Sequence, residues 1–134
     1  MNREIKFRGK CLVDIGNIKK GDLVYGGISY DTDRVWIDMP YYGQILVDKD
    51  TVGQYTGLHD KNGKEIYEGD IVYCQTKYGK AKAIIKFIDG KFVAYWNSAL
   101  THPENGHYIA CYEINKRFEV IGNIYDNPEL LGGK

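Results

Sequence analysis

Apolar and polar residues alternate along much of this chain. Ile5, Phe7, Gly9 and Cys11 share one parity, and Lys6, Arg8 and Lys10 share the other. A strand with one face on a core and the other in solvent produces that pattern. Val35 and Ile37 alternate with Arg34, Trp36 and Asp38, and Ile45 and Val47 follow. Ile71-Val72-Tyr73-Cys74 reads as a strand buried on both sides. Ala83, Ile85 and Phe87 share a face, as do Phe92, Ala94 and Trp96. Phe118, Val120, Gly122 and Ile124 alternate with Glu119, Ile121 and Asn123.

Turn chemistry separates these runs. Asp89-Gly90 predicts a two-residue hairpin with both central residues at positive φ. Asn62-Gly63, within Asp60-Lys61-Asn62-Gly63-Lys64, predicts a second. Tyr78-Gly79 and Gly26-Gly27 are lesser turn signals. Strand starts recur at short spacing, which predicts a barrel or sandwich rather than a βαβ sheet. No window shows a sustained helical stripe. The best helical start is near the end, with Asn127 as N-cap, Pro128 at the first position, then Glu129, Leu130 and Leu131. One turn docking two leucines is expected there, and Gly132-Gly133-Lys134 should fray. Residues 97–107 read as a long loop.

Composition agrees with this picture. The chain has 134 residues, 43% hydrophobic and 27% charged, which suits one globular unit and excludes a disordered chain. Sixteen Gly and twelve Tyr against three Pro fit a turn-rich β protein. Eighteen basic and eighteen acidic residues cancel, so nucleic-acid binding would need a local patch. Cys11, Cys74 and Cys111 form no redox or zinc spacing and predict free thiols in a reducing compartment. No segment approaches the roughly 20 apolar residues of a membrane helix, and no apolar leader is evident. A cytoplasmic location is expected.

Three stretches carry a family resemblance. They are Arg3-Glu4-Ile5-Lys6-Phe7-Arg8, the long run from Val52 through His59-Asp60-Lys61-Asn62-Gly63-Lys64 to Val72, and Glu119-Val120-Ile121-Gly122-Asn123-Ile124-Tyr125-Asp126-Asn127-Pro128-Glu129-Leu130-Leu131. Together they resemble the YopX family of small bacteriophage and prophage proteins, over nearly the whole chain. The resemblance implies a phage or prophage origin, and with it a bacterial host cytoplasm. It supplies no catalytic residues. The 75–117 stretch matches weakly.

The expected fold is all-β and mainly antiparallel. Glu68-Gly69-Asp70 forms a tight corner leading into Ile71-Val72, as at the opening of an SH3-like barrel. One compact unit of residues 1–134 is expected. Within it lie an N-terminal β layer at 1–58, an SH3-like barrel at 66–126, and a C-terminal helical turn and tail at 127–134.

Each chemical constellation has a cheaper structural explanation. His102, His107 and Cys111, with Cys74, could ligate zinc. However, His107 and Cys111 would lie about 13 Å apart on an extended strand. Cys11 and Cys74 sit in apolar strands and carry no mark of a nucleophile. Asp31, Asp33, Glu65, Glu68 and Asp70 fit turns and corners. No catalytic site, metal or cofactor is expected.

Binding surfaces remain. Lys6, Arg8 and Lys10 form a basic strand face, with Lys19-Lys20 close in sequence. Lys77, Lys80, Lys82 and Lys86 with Tyr78 form a second basic stretch. Either could hold nucleic acid. Trp36, Tyr41 and Tyr42, where they stay exposed, would form an aromatic patch for a protein partner, in the simplest case a second copy; covered by a second layer, they would be core. The leading expectation is a non-enzymatic interaction module. A nucleic-acid-binding barrel and a small hydrolase are the alternatives.

Overall fold

Main-chain pairing follows the alternating segments. The structure, a computed structural model, describes residues 4–76, 79–96, 107–111 and 115–131. Among the described residues are ten strands: β1 (Phe7–Cys11), β2 (Leu23–Tyr30), β3 (Val35–Met39), β4 (Gly43–His59), β5 (Glu65–Tyr67), β6 (Asp70–Thr76), β7 (Gly79–Ile88), β8 (Lys91–Trp96), β9 (His107–Ala110) and β10 (Phe118–Asn123). Short 3₁₀ turns occur at Asn115–Arg117 and Pro128–Leu131. The protein is mainly antiparallel all-β, as the alternation predicts. The chain divides into two compact units, Met1–Tyr55 and Thr56–Lys134.

In the first unit the strands close on themselves. β1 pairs with both β2 and β4, and β3 pairs with β2 and β4. Two bends allow the circuit. Strand β2 gives Leu23–Gly26 to β1 and Gly27–Tyr30 to β3. At the changeover a Cβ on Gly26 would lie 2.0 Å from the Asp38 carbonyl oxygen, so only hydrogen fits. Gly26-Gly27 is therefore a mid-strand crossing rather than the turn its sequence suggests. Strand β4 bends similarly, pairing first with β3 and then with β1, with a register shift opposite Gly9. Thr51 holds that shift, accepting the Lys10 amide at 2.9 Å and donating to the Asp48 carbonyl at 2.7 Å. Bulges and glycine corners are the usual means of curling a sheet. The interior holds Cys11, Val24, Ile37, Ile45 and Val47, with Phe7, Ile18, Val35, Met39 and Val52 against them. Burying each larger aliphatic chain stabilises by about 1.5–3 kcal/mol.

The second unit is built on a sheet ordered β10-β6-β7-β8-β9. One face packs Val72, Cys74, Ala83, Ile85, Ala94 and Phe118 with Ile66 and Cys111. Ile71 and Val93 are fully buried on the opposite parity. The β7–β8 hairpin turns at Asp89-Gly90, both at positive φ (53° and 80°), as expected. At Asn62-Gly63 only the glycine has positive φ. The Asp60 amide bonds Lys64 O at 2.8 Å and the Gly63 amide bonds Asp60 O at 3.0 Å, a three-residue loop rather than a two-residue one. In β10 the register shifts between Val120 and Gly122, so the alternation seen in the sequence breaks there, and Ile124 falls in the following turn. The C-terminal turn begins at Pro128, and Leu130 N–H bonds Asn127 O at 3.0 Å. Leu130 is half-buried and Leu131 is exposed, so one leucine docks rather than two.

Ring closure occurs among residues 7–54. Among the described residues of the second sheet, β9 and β10 are its two edges. The expected loop at 97–107 lies outside the described residues except for His107, whose backbone starts β9.

Candidate functional site

The basic stripe of β1 keeps its parity but not its exposure. Phe7 and Cys11 face the ring interior, which leaves Lys6, Arg8 and Lys10 on the other side. Arg8 is nevertheless only 4% exposed. Closure places it between Tyr25 on β2 and Gly53 on β4. Lys6 is half-buried, with its amine 3.2 Å from Glu4 and 5.2 Å from the centre of the Tyr55 ring. Lys10 is also half-buried. The stripe is therefore two partly covered lysines around a buried guanidinium.

Trp36 lies on the outward face of β3, opposite Ser29 and Leu46, and is half-buried. The Arg34 guanidinium stacks 5.1 Å from its ring centre and forms an ion pair of 2.9 Å with Asp31. Asp31 also accepts the amides of Asp33 and Arg34 at 2.9 and 2.8 Å. Those two backbone bonds, with the Arg34 side chain, hold its carboxyl below the usual range. Asp31 thus has the turn role expected of it.

Tyr41 and Tyr42 lie in the β3–β4 turn. Met39-Pro40-Tyr41-Tyr42 closes with Tyr42 N–H on Met39 O at 3.3 Å. Tyr41 has φ of 72°, and its side chain is fully exposed at 104%. With proline second and positive φ third, this is type II turn geometry, which favours glycine at the third position. A tyrosine there is strained by about 1–2 kcal/mol. Beside it runs Leu12–Gly16. Leu12 N–H bonds Leu46 O at 2.9 Å, and the Tyr42 ring lies 3.0 Å from where a Gly16 Cβ would sit. Leu12, Val13 and Ile15 are exposed. Sequence reasoning missed these three. The visible signal was an apolar run continuing past the end of β1.

The second basic stretch is more coherent. Lys77 and Tyr78 lie outside the described residues. Lys80, Lys82 and Lys86 are exposed on one face of β7. Tyr73 and Tyr95 share that face from β6 and β8, opposite Lys82 and Ile84. The Lys80 amine sits 5.3 Å from the Tyr73 ring centre, and the Lys86 amine 4.4 Å from that of Tyr95.

The cysteines are free and buried. Burial pushes the Cys111 thiol up to about 12. It also raises Cys74, with Arg117 opposing. Both are protonated thiols at neutral pH and weak nucleophiles. Cys11 Sγ donates to Val13 O at 2.6 Å. Glu65 accepts the Tyr67 hydroxyl at 3.0 Å, and Asp70 the Tyr67 amide at 2.7 Å. His102 lies outside the described residues, and no group of three or more His, Cys, Asp or Glu suited to a metal occurs among those described. No helix among them is long and apolar enough to cross a membrane.

A closed four-strand ring and a five-stranded sheet define a two-unit antiparallel β protein. A family model described as YopX protein matches residues 8–132. The chain belongs to the YopX family. It is similar to a solved structure titled "Crystal structure of protein EF1440 from Enterococcus faecalis", at 25% identity, 97% coverage of this chain, 99% of that chain and a TM-score of 0.53. No curated protein matches the chain.

Proposed function

We propose that this YopX-family chain is a phage- or prophage-encoded, non-enzymatic interaction module of the bacterial cytoplasm. Its contact surface is the corner formed by Tyr41 and Tyr42 with Leu12, Val13 and Ile15, and its simplest partner is a second copy. The observation that carries this reading is Tyr41, a fully exposed aromatic side chain held at positive φ. Strain at an exposed residue is retained where it serves function. Exposed aromatics in apolar surroundings are favoured at interfaces.

Competing readings have less support. Binding of nucleic acid through Lys6, Arg8 and Lys10 is weakened by the burial of Arg8. The hydrolase alternative calls for a Cys–His pair or two convergent carboxylates, and burial holds Cys74 and Cys111 as protonated thiols. Asp31 and Asp60 are engaged by backbone amides. Sedimentation equilibrium tests the reading. A mass rising with concentration from 15.3 kDa towards twice that value supports it. A monomer at every concentration, together with no bacterial protein captured, overturns it.

A further inference from the structure

The face of the second sheet opposite its main core carries exposed cations and half-exposed aromatic rings beside the buried Ile71 and Val93. Along β7, Lys80, Lys82 and Lys86 point to one side, and Ala83 and Ile85 to the core on the other. Lys91 on β8 pairs with Ile88 and has the same facing. Alternate strand residues lie about 6.6 Å apart. Lys80 and Lys86, three such steps apart, are separated by about 20 Å along β7. Tyr73 and Tyr95 flank the lysines on either side. Both rings are half-exposed and carry a lysine amine over them at 5.3 and 4.4 Å.

We infer that this face binds single-stranded nucleic acid. Lysine amines supply phosphate contacts, and tyrosine rings supply platforms on which bases stack, the combination used by sequence-tolerant single-strand binders. The amines over the rings swing to phosphates as bases take their place. Lys82 contributes less, because its amine donates to the Leu130 carbonyl at 2.9 Å. The carboxylate on this face of β10 is Glu119, opposite Tyr73, and Lys61 stands 3.8 Å from it. A net-neutral chain thereby presents a local positive surface, as single-strand binding requires.

The test is fluorescence anisotropy of labelled oligo-dT, oligo-rU and a duplex of equal length, on the full chain across a salt series. Three phosphate contacts, from Lys80, Lys86 and Lys91, give a slope of log K against log salt of about −2. Lys80→Glu with Lys86→Glu should weaken binding at least tenfold and flatten the slope. Lys6→Glu with Lys10→Glu should leave both unchanged. Tyr95→Leu should weaken binding about tenfold at an unchanged slope. Should that variant misfold, photocrosslinking of 5-iodouracil oligonucleotides to the wild-type chain replaces it, and crosslinks should map to Tyr73 or Tyr95. Preference of oligo-dT over oligo-rU, or the reverse, names the natural strand and leaves the inference standing. No binding at low salt overturns it. Equal affinity for duplex, or crosslinks confined to other residues, also overturns it.

Discussion

The Asp60 carboxylate accepts the backbone amide of Val120 at 2.9 Å, joining positions 60 residues apart. Its other oxygen accepts the amides of Asn62 and Lys64 at 2.8 and 2.9 Å. One side chain therefore shapes the 60–64 loop and pins it to β10. Lys61 N–H on Phe118 O at 3.0 Å and Asn115 Nδ2 on His59 O at 2.7 Å reinforce the join. Two of the stretches that carry the family resemblance are thus one structural feature. Asp60→Ala leaves three amides without this acceptor. It should cost about 2–4 kcal/mol in urea unfolding, at an unchanged denaturant slope.

Acid should act through the same group. Burial pushes the Asp60 carboxyl up, but the amides of Val120, Lys64 and Asn62, with the Lys64 charge, together outweigh it and leave it below 3.8. A depressed carboxyl contributes stability that is present above its unfolded value and is lost as pH falls through its folded value. Stability should therefore fall as pH drops below about 4, the ordinary carboxylate value. Asp31, also depressed, acts with the same sign. Thermal melts from pH 5 to pH 2 check this, and Asp60→Ala should show a shallower decline than wild type.

Ring closure depends on Gly26 and not on its neighbour. A Cβ on Gly26 meets the Asp38 carbonyl oxygen at 2.0 Å, whereas one on Gly27 comes no closer than 3.7 Å to Asp38. Gly26→Ala should destabilise by about 2–3 kcal/mol or more, because backbone must move. Gly27→Ala should lie within about 0.5 kcal/mol of wild type. A pair of thermal melts distinguishes them, and equal effects would contradict the bend.

Thiol chemistry should report on unfolding. Cys74 and Cys111 are buried among the same apolar side chains, and burial raises both thiols. Labelling by a disulfide reagent at pH 8 should be slow in the native protein and rapid in denaturant. Fast native labelling at Cys111 would contradict its placement.

The sequence made parity and punctuation legible. Phe7 and Cys11 do face a core, and Asp89-Gly90 does turn with both residues at positive φ. What alternation cannot report is whether the outward face stays wet, which is why the burial of Arg8 was missed. A Gly-Gly pair is ambiguous for a physical reason: lacking Cβ suits both a turn and a close crossing, and at Gly26 the crossing won. Closure among residues 7–54 rests on the pairing of β1 with β4, a contact across some 40 residues that local patterns do not encode. The sequence marks Tyr41 as an aromatic of interest but leaves its exposure open, and its positive φ, which runs against the residue's own preference, leaves no trace there.

Tyr41 gives the most direct measurement. Tyr41→Gly removes the exposed ring and relieves the strained backbone. If the corner is a contact surface, the variant should be more stable by about 0.5–1 kcal/mol and should remain monomeric at concentrations where the wild type associates in sedimentation equilibrium. Association unchanged in the variant would contradict the assignment of that corner, whatever happens to its stability.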